Sequence, residues 1–150
     1  MKISNSVEIK AVPEKVFHWL ADPERAMKWM TSVTKTEIID ETPEKVGTTF
    51  REYIEENGRG MKLRGVVTDF NLNKRLAFHL ESDYNTTAVN FNLVEKGEST
   101  RVIQNAEIHF KGRLRVLSIF FGFFIKRKIL RQTRSEFSRL KALCEEHISL

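Results

Sequence analysis

The strongest constraint on the fold is a run of four hairpin turns between Thr48 and Phe110, because their spacing keeps one face of the chain apolar. The first turn contains Asn57-Gly58, a dipeptide that tight β-hairpins favour. The three later turns lie at residues 71–74, 82–85 and 96–97. A slip of one residue at any turn would move a whole set of apolar side chains into water. The agreement of the four turns therefore predicts a five-stranded antiparallel meander with one buried face.

This register predicts which residues face each other across the strands. On the buried face the predicted pairs are Phe50 with Gly65, Glu52 with Leu63, Val67 with Phe78, Asp69 with Leu76, Phe78 with Val89, Val89 with Gln104 and Phe91 with Val102. Asp69 lies at the end of its strand, where an aspartate most often caps a turn. Glu52 and Gln104 are therefore the polar residues on this face that we consider for function.

The rest of the chain predicts one strand before the meander, two short helices and a long helix. Apolar and polar residues alternate over residues 2–10, which indicates a strand with one buried face. One short helix is expected to begin near Pro13 and a second after the N-cap at Asp22, with a further strand over Val33–Asp40. From Leu114 onward, apolar spacing predicts one long terminal helix.

The net charge of +5 is concentrated in the terminal helix. Residues 1–110 carry 15 basic and 17 acidic residues, whereas residues 111–150 carry 10 basic and 3 acidic ones. The longest uncharged run of the terminal helix, Val116–Ile125, has ten residues and is too short to span a bilayer. A single cysteine, Cys144, excludes an internal disulfide, and the first predicted strand starts at Lys2. We therefore expect a cytoplasmic protein without a signal peptide.

Four segments of the sequence resemble the START-like (SRPBCC) superfamily. They are VEIKAVPEKVFHWLADPERAMKW at Val7–Trp29, VGTTFREY at Val46–Tyr53, VVTDFNLNKRLAFHLES at Val66–Ser82 and RQTRSEFSRLKALCE at Arg131–Glu145. The pattern is similar in kind to the polyketide cyclase/dehydrase and lipid-transport branch. The resemblance implies a single domain over residues 1–150 with an α+β helix-grip (START/Bet v-like) fold. In this fold a curved antiparallel sheet of about six to seven strands surrounds the long C-terminal helix, and two short helices follow the first strand.

A helix-grip fold implies a cavity between sheet and helix, but it hosts lipid carriers, receptors and cyclases alike. We expect this chain to bind, and to transport, a small hydrophobic molecule such as a lipid or a polyketide-like compound. The expected ligand-binding residues are Trp29, Phe50, Glu52, Leu63, Val67, Phe78, Val89, Phe91, Gln104, Ala106, Ile108, Phe121 and Ile125. Trp29 is included because the resemblance places it near one end of the cavity. Phe121 and Ile125 are included because residues 117–125 would cover the ligand.

Glu52 is the weak candidate for a catalytic residue. A carboxyl flanked by Phe50 and Ile54 on a buried face would be desolvated, which raises its pKa as a general acid or base requires. The alternative is a carboxylate that sheet curvature leaves in water. A cyclase or dehydratase would also need a second titratable group beside Glu52, and the register brings none there. Gln104 either orients the polar end of a ligand or forms a hydrogen bond within the core.

The basic side of the terminal helix leaves several interpretations open. Its cations Arg127, Arg131, Arg134 and Lys141 form either a solvated surface or a peripheral contact with an anionic membrane. Nucleic acid is not an expected partner, because no aromatic residues interleave with these cations. The Phe-rich segment 117–125 is a lid, a plug, a dimer contact, a docking site for a partner protein or a membrane contact. The four histidines lack metal-ligand spacing, and we expect neither a metal nor a cofactor.

Overall fold

The computed structural model describes residues 1–56 and 58–146. The strands are β1 (Lys2–Ile9), β2 (Val33–Asp40), β3 (Thr49–Glu56), β4 (Arg59–Asn71), β5 (Arg75–Glu81), β6 (Asn85–Lys96) and β7 (Ser99–Phe110). The helices are α1 (Pro13–Ala21), α2 (Pro23–Ala26) and α3 (Arg113–Glu145). The seven strands form one antiparallel sheet in the order β1-β7-β6-β5-β4-β3-β2. This arrangement confirms the predicted helix-grip architecture, with both short helices directly after β1.

The predicted register of strands β3 to β6 is confirmed at four pairs on the inner face. The confirmed pairs are Phe50–Gly65, Glu52–Leu63, Val67–Phe78 and Phe78–Val89. Asn57, in the first predicted turn, lies outside the described residues, as does His147. The pairing places Phe50, Glu52 and Phe78 on the same side of the sheet, because inward and outward side chains alternate along each strand.

The predicted register of β7 against β6 is wrong by two residues. The observed pairs are Val89–Ala106, Phe91–Gln104 and Leu93–Val102 in place of Val89–Gln104 and Phe91–Val102. The strands close with Lys96 opposite Ser99, and Gly97 takes up the positive φ of 61° that this tight turn requires. A shift of two residues preserves the alternation, so Gln104 and Ala106 still lie on the inner face.

A β-bulge in β4 corrects the predicted position of Asp69. The register of β4 against β5 shifts immediately before this residue, so Phe70 takes the inward place and pairs with Leu76. The Phe70 ring packs edge-on against Phe17 of α1, with 5.5 Å between the ring centroids. Asp69 instead accepts a hydrogen bond from Arg75 Nε at 2.6 Å, which links the two ends of the β4–β5 turn.

The two halves of α3 have opposite environments. In the second half, Phe137, Leu140 and Cys144 are buried against the inner face of the sheet. The Phe137 ring lies 6.4 Å from the rings of both Trp29 and Phe91, measured between centroids. In the first half, large apolar side chains are exposed. Within the described chain, no helix combines the length and the apolar character needed to cross a membrane.

Candidate functional site

A cavity of about 400 Å³ lies between the two short helices and strands β2 to β5. Its mainly apolar lining includes Leu20, Met30, Ile38, Phe50, Val67, Phe70 and Phe78. Glu52 of β3 contributes a partly buried carboxyl to this lining. His18, Glu41 and Lys45 are exposed at the rim. We call this space the Glu52 cavity.

Local hydrogen bonds hold the rim of the Glu52 cavity in place. Asp22 caps α2, since its Oδ1 accepts a hydrogen bond from the Glu24 backbone N–H at 3.0 Å. Across the cavity, the loop between β2 and β3 is closed by the Thr48 hydroxyl, which accepts a hydrogen bond from the Thr42 N–H at 3.1 Å. Thr48 is itself buried, so this hydrogen bond fixes the loop to the body of the protein.

One wall of the cavity depends on the close approach of an aromatic ring to a glycine. Gly65 of β4 faces Phe50 of β3, and a Cβ atom at Gly65 would lie 2.2 Å from Phe50 Cζ. The ring therefore lies directly over the glycine backbone and meets the edge of Phe78, with 6.0 Å between centroids. Only glycine at this position permits that placement of Phe50.

Replacing Gly65 with alanine is expected to push the Phe50 ring into the Glu52 cavity. The ring is the free end of its side chain, so it moves toward the open space, and overpacking costs about 1–3 kcal/mol of stability. Affinity for a fluorescent apolar probe such as anilinonaphthalene sulfonate should fall about tenfold in a titration. Gly60→Ala is the matched control, because no atom lies within 4 Å of a Cβ at that position. Equal probe affinity of both variants would contradict the role of Phe50 as a cavity wall.

Glu52 has an unusual electrostatic environment for a carboxyl. Among the described residues, none forms a hydrogen bond with its side-chain carboxyl. Burial among apolar groups, together with the negative charge of Glu136, raises the pKa of Glu52 from the ordinary 4.5 to about 7. Glu52 therefore changes its protonation state close to neutral pH.

Glu136 reaches the same region from α3. Its Oε2 accepts hydrogen bonds from the Thr31 backbone N–H at 2.9 Å and from the Thr31 hydroxyl at 3.3 Å. Desolvation raises the pKa of Glu136, while the bonds from Thr31 act in the opposite direction by favouring the carboxylate. Because Glu52 lacks such bonds, Glu136 is the first of the two to ionise. Its charge then helps Glu52 to retain a proton.

This arrangement determines what the site can do chemically. Protonated Glu52 can donate a hydrogen bond to an acceptor oxygen of a ligand, and ionised Glu52 can accept one or take up a proton. Both forms are accessible near neutral pH because the pKa is about 7. Among the described residues, no cluster of three or more His, Cys, Asp or Glu side chains could hold a metal ion.

Comparison with known proteins identifies the family of the chain. A family model described as "Polyketide cyclase / dehydrase and lipid transport" matches residues 1–145. The chain belongs to this family. None of the curated proteins matches the sequence.

Solved structures share the fold of this family member across nearly its whole length. The Zhui aromatase/cyclase from Streptomyces sp. R1128 has a TM-score of 0.79 at 12% identity, covering 97% of this chain and 93% of that one. A START superfamily protein from Mycobacterium smegmatis has a TM-score of 0.77 at 17% identity, covering 96% and 97%. A protein from Thermus thermophilus has a TM-score of 0.75 at 18% identity, covering 94% of both chains. At these identities the likeness is one of fold.

The predicted ligand-binding residues of this family member occupy three different places. Those that line the Glu52 cavity are Phe50, Glu52, Val67 and Phe78. Those that are buried in the core are Trp29, Leu63, Val89 and Phe91. Those on β7 are Gln104, Ala106 and Ile108, and those on α3 are Phe121 and Ile125. The cavity thus brings together predicted residues from three strands, β3, β4 and β5.

The predicted residues on β7 and α3 are not part of the lining of that cavity. Ala106 and Ile108 border two open grooves beside this helix, whose linings are more polar than that of the Glu52 cavity. Gln104 pairs with Asn5 of β1, and its buried Oε1 finds no partner in the described part of the chain. We place the candidate site in the Glu52 cavity because a partly buried carboxyl meets a mainly apolar lining there.

Sequence reasoning missed Glu136, which acts on Glu52 through its charge from outside the cavity lining. It also missed lining residues such as Leu20, Met30 and Ile38. One signal was present, because Glu136 is the sole acidic residue between Glu107 and Glu145. It also precedes the core residue Leu140 by one helical turn, which points it toward the sheet. An isolated carboxylate on the inward side of a basic helix is therefore a feature worth searching for in such sequences.

Proposed function

We propose that the protein binds and transports a small hydrophobic molecule in the Glu52 cavity, with Glu52 forming a hydrogen bond to its polar end. The observation that carries the proposal is an apolar cavity of about 400 Å³ whose lining includes the Glu52 carboxyl. No described residue forms a hydrogen bond with this carboxyl, so it is available to a ligand. This volume lies in the usual range for small-molecule sites. Burial of apolar ligand surface would supply binding energy at roughly 25 cal/mol per Å².

The chemistry of Glu52 limits the polar end of the ligand. At neutral pH a large part of Glu52 is protonated, because its pKa is about 7. A neutral carboxyl donates one hydrogen bond, which suits a carbonyl, ester or phenolic oxygen. Lipids and polyketide-like compounds carry such oxygens on apolar skeletons, and the family description names both classes.

A second candidate function is acid–base catalysis of the cyclase or dehydratase type. The Glu52–Glu136 pair favours it, since a carboxyl with a pKa near 7 is suited to proton transfer at neutral pH. The fold likeness to an aromatase/cyclase is consistent with this function. In such a reaction Glu52 would move the proton, and Glu136 would hold the negative charge that keeps Glu52 protonated before the reaction.

Native mass spectrometry of the purified protein, set beside the denatured sample, tests binding. We expect a mass excess that is lost on denaturing for wild type and for Gly60→Ala, and a reduced excess for Gly65→Ala. A bare chain in all three samples, together with no uptake of fatty acids or aromatic polyketides in titrations, would refute the proposal. An excess that is equal in Gly60→Ala and Gly65→Ala would place the ligand elsewhere.

The same samples separate binding from catalysis. A ligand that is chemically unchanged after incubation with the wild type supports a carrier. A ligand that is converted by the wild type but not by Glu52→Gln supports the catalytic function. Transport additionally needs a place where the ligand is loaded, and Arg127, Arg131, Arg134 and Lys141 are the predicted contact with an anionic membrane.

A further inference from the structure

The first half of α3 carries an unusual concentration of exposed apolar side chains. They are Val116, Leu117, Ile119, Phe120, Phe121, Phe123 and Phe124, which we call the Phe segment, and they are between 46% and 75% exposed. Gly122, on the opposite side of the helix, approaches Met1 of the sheet. The Phe segment therefore lies outside the core, and its side chains face solvent over more than half of the helix circumference.

The charged residues on both sides of the Phe segment are all basic. Between Glu107 and Glu136 the sequence has eight Lys or Arg residues and no acidic one. Only Lys111 is paired, with Glu81 at 3.0 Å. Within the described chain, the seven cations without an ion pair are Arg113, Arg115, Lys126, Arg127, Lys128, Arg131 and Arg134.

Apolar and cationic side chains also share one stripe along α3. Phe120 and Phe124 are followed by Arg127, Arg131 and Arg134 at intervals of three or four residues, the spacing that keeps side chains on one face. All five are exposed. Lys141 continues the stripe but is engaged, because its Nζ donates to Glu145 at 2.6 Å and to the Glu8 carbonyl at 3.1 Å.

We propose that the Phe segment inserts into the surface of an anionic lipid bilayer, with the flanking arginines and lysines contacting the lipid head groups. An interfacial helix of this kind buries aromatic and aliphatic side chains at the acyl boundary and keeps its cations at the head-group level. The positive charge around the Phe segment favours an anionic surface as its partner. A neutral surface would leave seven cations unpaired, whereas anionic lipids attract each of them.

The same charges argue against a second copy of the chain as the occupant. Two Phe segments packed side by side would bring their basic flanks together in either orientation. Like charges at close range oppose such an association, most strongly at low ionic strength. The bilayer also suits the breadth of the apolar surface, since lipid can surround a helix on more sides than one protein groove can.

The test uses the full chain in co-sedimentation with phosphatidylcholine vesicles, with and without phosphatidylserine. We expect binding only where phosphatidylserine is present. The double variant Phe120→Ser/Phe124→Ser should bind about tenfold more weakly for each ring removed. The double variant Arg127→Gln/Arg131→Gln should lose about 25-fold in affinity. Both changes lie on exposed positions, so thermal unfolding should show that the fold is retained.

Two control variants change residues of the same kinds at exposed positions outside α3. Leu72→Ser/Tyr84→Ser removes two exposed apolar side chains elsewhere, and Lys74→Gln/Lys96→Gln removes two exposed cations outside α3. Both should bind as the wild type does. Equal binding to vesicles without phosphatidylserine would overturn the role of charge, and full binding by Phe120→Ser/Phe124→Ser would overturn insertion. A wild-type dimer in sedimentation velocity that this Phe variant dissociates, with no vesicle binding, would assign the Phe segment to a second copy.

Discussion

Replacing Glu52 with glutamine is expected to stabilise the protein by about 3 kcal/mol above pH 7 and to leave its stability below pH 4.5 almost unchanged. The physical reason is the cost of an ionised carboxyl in the Glu52 cavity. Glutamine has nearly the same shape as protonated Glu52 and cannot ionise. The measurement is urea unfolding of both proteins at a series of pH values, compared as a difference so that all other titrating groups cancel.

The sign of this effect follows from the pKa of Glu52 in the two states. In the folded protein the pKa is raised from 4.5 to about 7. Below pH 4.5 the carboxyl is protonated in both states, and the wild type has its full stability. As the pH rises toward 7, the unfolded chain releases its proton and the folded one retains it, so the wild type loses stability. Above pH 7 the loss is complete.

Two further variants show whether this effect belongs to Glu52 and its neighbour. Glu55→Gln changes an exposed carboxyl on the same strand and should give no comparable pH-dependent difference. Glu136→Gln removes the second cause of the raised pKa, so the pKa of Glu52 should fall but stay above 4.5, because desolvation is the larger cause. A wild-type protein whose stability difference from Glu52→Gln is flat between pH 4.5 and 7 would refute the buried position of Glu52.

Replacing Phe137 with alanine is expected to cost about 3–5 kcal/mol of stability, the largest single effect that we predict. Phe137 is 2% exposed and packs between Trp29 and Phe91, so its removal leaves a cavity where α3 meets the sheet. A loss of this size approaches the total stability of many domains. Urea unfolding measures it as a lower midpoint with an unchanged slope.

The matched control for Phe137→Ala lies on the same helix. Phe120→Ala removes an identical side chain that is 75% exposed, and it should change the stability by no more than about 0.5 kcal/mol. The contrast separates the two halves of α3 by a direct measurement. Similar losses for the two variants would mean that the Phe segment packs against the body of the protein, which would contradict both the fold described above and the membrane proposal.

The sheet could be predicted from the sequence because its determinants are local. Turn residues and the alternation of apolar side chains both act over a few positions, and they gave the correct partners for Phe50, Glu52 and Phe78. The β6–β7 turn was placed one residue too early, since Gly97 can occupy either central position of such a turn. The bulge before Asp69 was not visible, because an extra residue in a strand leaves no mark on composition.

The site was less accessible to prediction because it depends on packing between distant elements. The closeness of Glu136 to Glu52 is set by the way Phe137 and Leu140 seat α3 on the sheet. Neither the sequence around Glu52 nor the sequence around Glu136 indicates that the two carboxyls lie close together. The position of the cavity under α1 and α2 is equally non-local, and it explains why residues 117–125, predicted as its cover, lie on the surface of α3 instead.

The pairing of β1 with β7 has a consequence for how the chain is made. The Met1 amino group donates to the Ile108 carbonyl at 2.8 Å, across a separation of 107 residues. A ribosome that adds roughly 5–20 residues per second needs on the order of 5–20 seconds to deliver β7 after β1 has emerged. The hairpins of β3 to β6 can form during synthesis, because their partners are neighbours in sequence. Until β7 arrives, however, β1 and β6 each present an open strand edge, and this interval is when the nascent chain most needs protection from aggregation.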